Sequence, residues 1–401
     1  MAAFLFGYGF CKAVANALRP FSLGGCNMNT CRRMATVRKV TEVLPIEGAD
    51  RIEECVIDGW SVVTKKGEFS KGDLVVYFEI DTFIPRGIPQ LDFLMERGTK
   101  QMEHGGETVE GHVLKTVRLR GVYSQGLVIS PDELGIADAE ALYESGEALD
   151  ERIGVWEYER PAKLTHGSPK FILNPYDAGV APVTGAERAQ NCTAIWDALK
   201  KVESYATIKV DGTSMTMVFD PRKDKLRLFS HHREIDWTVE MEDGKRTVAQ
   251  ESYDAATRQG IVAFCYDNPG VTVQYELTGP KIGPAMTKDF QCHVFAVWDM
   301  ATMHKYTPDE ILMGDWNAII ESHVKVMNMS ASDFETVADL LEAADGLIGN
   351  VVKGKRDEGI VFHVTGHGDA TDYEWARVCN KLKPTMEFKA VSNKYLLKRK
   401  G

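Results

Sequence analysis

After residue 34 the chain runs through short stretches in which apolar and polar residues alternate. Positions 60–64, 74–80, 113–119 and 126–129 are rich in apolar and β-branched side chains, the pattern of half-buried strands. Asp58-Gly59, Lys71-Gly72-Asp73 and Arg120-Gly121 fall between them as turns. Short strands joined by glycine turns suit a small β-barrel. Over 151–180 the periodicity fades, and Pro161, Gly167, Pro169, Pro175 and Gly179 mark a linker. Residues 185–202 return with helical spacing through Ala189, Cys192, Ile195 and Leu199, with Thr184 as an N-cap. From 205 onward strands and helices mix. Strands are expected at 205–210, 214–219, 227–230, 272–277, 293–298 and 359–364. A helix is expected around 251–258, two more across 308–347, and a folded C-terminal element carries Phe388, Val391, Tyr395, Leu396 and Leu397. The expected organisation is α+β: a leader over 1–33, a β-barrel module over 34–150, a linker over 151–180, and a domain of antiparallel sheets and helices over 181–401.

Composition narrows this reading. The chain has 401 residues, enough for two or three domains, and 44% of them are hydrophobic. No apolar run reaches the ~18 residues of a membrane span, so no membrane partner is expected. A net charge of −11 argues against nucleic acid coating the whole surface and leaves room for a local basic groove. Such a bias appears over 381–401, with seven Lys/Arg against Glu387 alone. The eight cysteines show no CxxC pair and no zinc-type spacing, and read as scattered reduced thiols of an intracellular protein. Residues 1–33 hold Lys12, Arg19, Arg32 and Arg33 and no acid. They are either a mitochondrial-type presequence or the result of a mis-assigned start with Met34 as the true beginning. A cytoplasmic monomer is expected, mitochondrial if the leader is genuine.

Candidate chemistry centres on Ile208-Lys209-Val210-Asp211-Gly212-Thr213-Ser214, between two strand-like runs. Asp-Gly there also suits an ordinary two-residue hairpin. The chemical reading is more specific. A lysine that attacks phosphorus must lose its proton, so burial and nearby cations have to lower a reference pKa of about 10.4. Strand alternation turns Lys209 and Asp211 to one side, and Gly212 lets the backbone come close to phosphate or sugar. Asp211 is suited to hold waters of a hydrated Mg²⁺. Further along, Tyr275-Glu276-Leu277-Thr278-Gly279-Pro280 sets an acid in an apolar strand, where it needs a partner. Glu358-Gly359-Ile360-Val361-Phe362 repeats the arrangement, Phe295-Ala296-Val297-Trp298-Asp299 is a third such strand, and 388–395 supplies Lys389 and Lys394.

Taken in order, these segments resemble the covalent nucleotidyltransferase superfamily of ligases and capping enzymes. There K-x-D-G is followed by an acidic strand, an aromatic strand, E-G-[IV]-V and a final lysine strand. The closer resemblance is to RNA ligases of the Deinococcus–Naegleria type. Their acidic strand reads G-E-L-x-G-P, and they finish on a segment like S-F-K-x-x-S-N-x-Y-L-L-K. Tyr275–Pro280 and Phe388–Lys398 match these, with Tyr275 for the first Gly and Glu387 for the first Ser. Thr184-Gly185-Ala186-Glu187-Arg188-Ala189-Gln190-Asn191 is similar to the family's T-x-x-x-R-x-Q-N. Segments 46–53, 72–78 and 119–127 are similar to its N-terminal OB module. The resemblance covers about residues 35–400.

The resemblance implies an OB-like nucleic-acid-binding barrel followed by an ATP-grasp-like ligase domain that consumes ATP with Mg²⁺ or Mn²⁺. Its substrate would be RNA or an RNA-containing nicked duplex, in RNA repair. Lys209 would form lysyl–AMP. AMP would pass to a 5′-phosphate, and a 3′-hydroxyl would then expel it. Glu276, Phe295, Lys389, Lys394, Arg188, Gln190 and Arg233 would bind the nucleotide, and Asp211 and Glu358 the metal. Arg118 and Arg120 would contact nucleic acid. Three positions depart from the family. Ile208 replaces a usual Glu, which leaves adenine to backbone groups or Gln190. Ser230-His231-His232-Arg233 stands for S-R-N, so His231 or Arg233 fills the arginine's place. Val183 replaces a lysine. DNA ligases and capping enzymes are the alternative, but they usually carry an OB domain after the last lysine motif, and twelve residues follow Lys389. A non-catalytic OB-fold RNA-binding protein is the other alternative, and it has no need of Lys209, Glu276 and Glu358 on separate strands.

Overall fold

The computed structural model describes residues 32–105, 107–158, 171–241, 244–280, 282 and 287–398. The expected leader, apart from Arg32 and Arg33, and Pro161, Gly167 and Pro169 of the expected linker lie outside the described residues.

In the N-terminal module the strand Ala35–Pro45 is the spine. It pairs with Leu74–Phe78 on one side and Ile52–Ile57 on the other, and Leu127–Ile129 and Trp60–Lys65 complete a five-stranded antiparallel sheet. A second sheet runs Trp156–Glu157, Thr82–Pro85, Glu107–Val113, Lys100–His104. Alternation in Trp60–Lys65 sends Trp60, Val62 and Thr64 inward, as strand geometry requires. The run expected over 113–119 is two strands. Leu114 turns the corner between them, donating its N–H to the Thr82 carbonyl and accepting from the Asp81 N–H, so Val113 ends one strand and Thr116–Leu119 begins a hairpin with Val122–Gln125.

The C-terminal part has two sheets. One runs Ile172–Pro175, Arg233–Ile235, Lys225–Ser230, Thr213–Asp220, Val271–Thr278, Gln291–Asp299. The other runs Glu187–Arg188, Glu387–Val391, Gly359–Gly366, Glu203–Lys209, Val326–Met327. Ala206, Ile360, Phe362, Phe388 and Ala390 fill the covered face of the second sheet. Phe362 and Phe388 stack 4.8 Å apart, with the edge of Trp196 against Phe388. Burying each phenyl ring contributes on the order of 2–3 kcal/mol.

Several local expectations are corrected. The helix expected over 185–202 is instead the short strand Glu187–Arg188, a 3-10 turn Ala189–Ile195 and one helical turn Trp196–Leu199. Parallel pairing of Glu187 and Arg188 with Phe388 and Lys389 outcompetes the helical pattern. Thr184 is no N-cap: its hydroxyl lies 3.0 Å from Ser214 Oγ and 2.8 Å from His231 Nδ1. The region 308–347 holds three helices, Pro308–Met313, Asn317–Ser322 and Val337–Gly346, with the strand Val326–Met327 among them. Ile261–Asp267 and Asp372–Leu382 are further helices that were not expected. The second carried a legible signal, since Thr371 and Glu374 form a reciprocal capping box at its start.

The two modules meet over a buried ionic knot. Glu79 accepts from Arg32, Arg38 and Asn191. The Asn191 amide also accepts from Arg38 and Trp60, both at 2.7 Å, and donates to Glu187 at 2.9 Å. Removing one partner of a buried pair leaves a charge without compensation. Glu79→Ala is therefore expected to lower unfolding stability by about 3–5 kcal/mol, read as a lower urea midpoint. An unchanged midpoint would show that the knot contributes nothing.

Candidate active site

The strand Glu203–Lys209 lies antiparallel to Gly359–Gly366, which pairs in turn with Glu387–Val391. Their registers set Lys209 opposite Gly359, and Val361 between Thr207 and Lys389. These residues point away from the Phe362–Phe388 core. Lys209, Thr207, Val361 and Lys389 line a cavity of about 230 Å³, together with Glu276, Phe295, Ser214, Thr184 and His231.

Asp211-Gly212 does not close a hairpin. Glu203–Lys209 belongs to one sheet and Thr213–Asp220 to the other, so the motif carries the chain between sheets. Gly212 is required by protein rather than by a ligand, because a Cβ there would sit 2.3 Å from the Leu277 carbonyl oxygen. Its N–H donates to Glu276 Oε1 at 2.9 Å, which holds that carboxyl beneath the turn. Gly359 is demanded in the same way, since its Cβ would lie 2.0 Å from the Ala390 carbonyl oxygen. That close approach brings Glu358, at the head of the strand, over Lys209.

Lys209 Nζ donates to Glu358 Oε2 at 2.9 Å, with 22% of the lysine side chain and 7% of the glutamate exposed. Burial by itself would lower the Lys209 pKa. The charges of Glu358, Glu276 and Asp211 outweigh it and hold the ammonium above its ordinary value. The expectation of a lysine already lowered is thereby corrected: in this state Lys209 keeps its proton. Lys389 behaves the other way. Burial, then the charges of Arg188 and Lys209, push it down to about 7. Glu276 is pushed up to about 8, first by burial and then by Glu358 and Asp211, against the opposing pull of Lys209. A buried lysine held down by burial and neighbouring cations is one that an anion would relax.

Not every expected residue is brought to the cavity. Gln190 is fully buried and does not line it, and Lys394 is exposed on the helix Asn393–Lys398. Arg233 is exposed, and of the Ser230–Arg233 segment it is His231 that reaches the cavity wall. Arg188 is buried beside Lys389 and 3.5 Å from Asp81 of the first module. Arg118 and Arg120 lie far along the chain on the exposed hairpin, where Arg118 Nε donates to the Gly121 carbonyl. Ile208 is buried and borders the cavity, but an apolar side chain cannot replace the hydrogen bonds of the usual Glu. His363, Thr207 and Glu387 also line the cavity and were not singled out from the sequence. The signal was present, because each lies two strand residues from a motif position and so shares its face.

Among the described residues no group of three or more His, Cys, Asp or Glu side chains converges as a metal site. The donor set near Lys209 is two or three carboxylates, hard oxygen ligands that suit a largely hydrated divalent cation rather than an all-protein cage.

Residues 34–131 match an OB-fold domain and residues 202–382 match the RNA ligase family. No curated protein matches by sequence. Solved structures of Naegleria gruberi RNA ligase align along almost the whole chain. The enzyme with pyrophosphate has a TM-score of 0.71 at 28% identity, covering 91% of this chain and 98% of that one. A glutamate-to-alanine mutant with AMP and Mn gives 0.72 at 28%, covering 92% and 99%. A lysine-to-alanine mutant with ATP and Mn gives 0.71 at 27%, covering 91% and 99%. With an OB-fold module ahead of an RNA ligase domain, this chain is an RNA ligase similar along almost its whole length to that of Naegleria gruberi.

Proposed function

We propose that this ATP-dependent RNA ligase joins 3′-hydroxyl and 5′-phosphate ends at nicks, through lysyl–AMP on Lys209 and an adenylylated strand. The observation that supports this most directly is the constellation of Lys209, Glu276 and Lys389 on the wall of one cavity, with Glu358 2.9 Å from the lysine amine. Positioning and charge neutralisation dominate in-line displacement at phosphorus, and these residues supply both.

In the first step the Lys209 amine, once deprotonated, forms an N–P bond to the α-phosphorus as the bond to pyrophosphate breaks. The carboxylates that keep Lys209 protonated must first be offset. A divalent cation held through water by Glu358 and Asp211 supplies that offset when bound. Lys389 takes up the α-phosphate charge, and Arg188 behind it adds to the positive field. Glu276 meets the ribose hydroxyls, and Phe295 offers its ring to the base. AMP then moves to the 5′-phosphate of a strand. The 3′-hydroxyl of the neighbouring strand attacks that phosphorus, and AMP leaves.

The OB module would hold the nucleic acid. Arg118 and Arg120, exposed on the 116–125 hairpin, are suited to phosphate contacts that add affinity and salt dependence. A ribose 2′-hydroxyl both donates and accepts, and is the group by which RNA is told from DNA. A nick with RNA on the 3′-hydroxyl side is therefore expected to seal faster than an all-DNA nick, with more tolerance on the 5′-phosphate side. Four nicks, RNA or DNA on each side, test this. If the all-DNA nick seals fastest, the RNA-nick reading fails.

A further inference from the structure

Past Lys209 and Lys389 the cavity wall continues into a row of polar residues that the reaction does not use. Strand register places His363 between Tyr205 and Glu387, one row on from Thr207, Val361 and Lys389. That is roughly 7 Å further along the sheet. Thr207 and His363 are each 1% exposed, and both line the cavity. The Tyr205 ring stacks on the imidazole with centroids 4.6 Å apart.

The hydrogen bonds in this row have a direction. His363 Nδ1 lies 2.7 Å from Lys305 Nζ and 3.0 Å from Glu387 Oε1, and Lys305 is also ion-paired with Glu387. An ammonium can only donate. The shorter contact therefore uses the lone pair of Nδ1, and Glu387 accepts its hydrogen bond from Lys305 rather than from the ring. Burial first, and then the Lys305 charge, hold His363 down to about 4, so the ring is neutral. A neutral ring with its lone pair at Nδ1 carries its proton at Nε2, which lies 2.9 Å from Thr207 Oγ1. Having accepted from the ring, the Thr207 hydroxyl is left to donate into the cavity.

We propose that Lys305 and His363 lock the Thr207 hydroxyl as a hydrogen-bond donor to N1 of the purine, which makes Thr207 a specificity-determining residue for the adenine base. This rests on the nucleotide occupying the cavity as in the proposed function. Adenine offers a lone pair at N1, whereas guanine presents N1–H there, donor against donor. The neighbouring residues leave this role open. The Ile208 side chain has no hydrogen-bonding group, and Gln190 is not on the cavity wall. Phe295 lines the same cavity for the base to stack on.

The test measures the rate of lysyl–AMP formation by the full chain with ATP, 1-deaza-ATP and GTP, for the parent, Thr207→Val and Thr207→Ser. The parent is expected to lose about tenfold in kcat/KM with 1-deaza-ATP, the size of one hydrogen bond whose partner is left unpaired. Thr207→Val should lose about as much with ATP, suffer no further loss with 1-deaza-ATP, and discriminate less against GTP. Such non-additivity is the mark of a direct contact. Thr207→Ser keeps the hydroxyl and should restore the parent pattern. A parent enzyme indifferent to 1-deaza-ATP overturns the proposal without any variant. So does a Thr207→Val enzyme that rejects 1-deaza-ATP as sharply as the parent. If the parent forms no adduct with ATP at all, it is the lysyl–AMP reading that fails.

Discussion

Replacing Lys209 with alanine is expected to abolish the covalent protein–AMP adduct and to leave the fold intact. The side chain lies on the cavity face of its strand, away from the Phe362–Phe388 core, so its removal opens no hole in the packing. What is lost is the proposed nucleophile. Lys209→Arg should be equally inactive. A guanidinium keeps the charge and a contact with Glu358, but it cannot give up its proton to attack phosphorus. The arginine variant thus separates charge from nucleophilicity. Lys389 is the other amine on the wall, and with a pKa of about 7 it would be the more reactive lysine on acidity alone. It does not head the K-x-D-G turn, and it sits opposite Val361, while the hydrogen bond of Glu358 goes to Lys209. Intact-mass measurement after incubation with ATP and Mg²⁺, followed by peptide mapping, checks the assignment. About one AMP per chain on Lys209 is expected. An adduct of equal yield on the alanine variant would transfer the role to Lys389.

Glu358→Ala is expected to slow both adenylylation and strand sealing by roughly 10–100-fold, as for loss of a residue that orients metal-bound water. Two physical roles of Glu358 predict opposite outcomes here. As a counter-ion it raises the pKa of Lys209, so its removal frees more amine at neutral pH and would speed the first step. As an orienter of a hydrated cation it is needed in every step at phosphorus, and its removal slows them all. The slow outcome is expected because the cation itself offsets the carboxylates once bound, and the counter-ion effect then matters little. Single-turnover rates at limiting Mg²⁺ across pH 6–9 distinguish the two. The variant should stay slow throughout, and raised Mn²⁺ should restore it only in part. A rate equal to or above the parent's at neutral pH would remove the metal role.

Much of the site was legible in the sequence because strand motifs are local. Lys209 and Glu276 line the cavity, Lys389 lies opposite Val361 on its wall, and Glu358 closes on Lys209, as the order of K-x-D-G, acidic strand, E-G-I-V and lysine strand led one to expect. Residue type also carried the strands Trp60–Lys65, Leu74–Phe78 and Val271–Thr278, where β-branched runs end at turns. The helical pattern over 185–202 misled. Its spacing was real, but pairing of Glu187 and Arg188 with Phe388 and Lys389, two hundred residues away, satisfies the backbone another way. Local propensity is a weak prior against such tertiary contacts.

What the sequence alone determined is which candidate residues share a strand and a face, because alternation along a strand assigns faces without knowledge of the partner strand. Tertiary structure decided what those groups do to one another. That Gly212 makes room for the Leu277 carbonyl, that Asp211-Gly212 bridges two sheets, and that His231 rather than Arg233 reaches the cavity all depend on how sheets are set together. Protonation depends on it most. Lys209 and Lys389 are the same side chain on strands of one sheet, yet one is held above its ordinary pKa and the other pushed down to about 7. The difference lies in which charges the fold brings near: carboxylates around Lys209, Arg188 and Lys209 itself around Lys389. Electrostatic energy falls with distance and with the medium between, and neither is written in the order of residues along the chain.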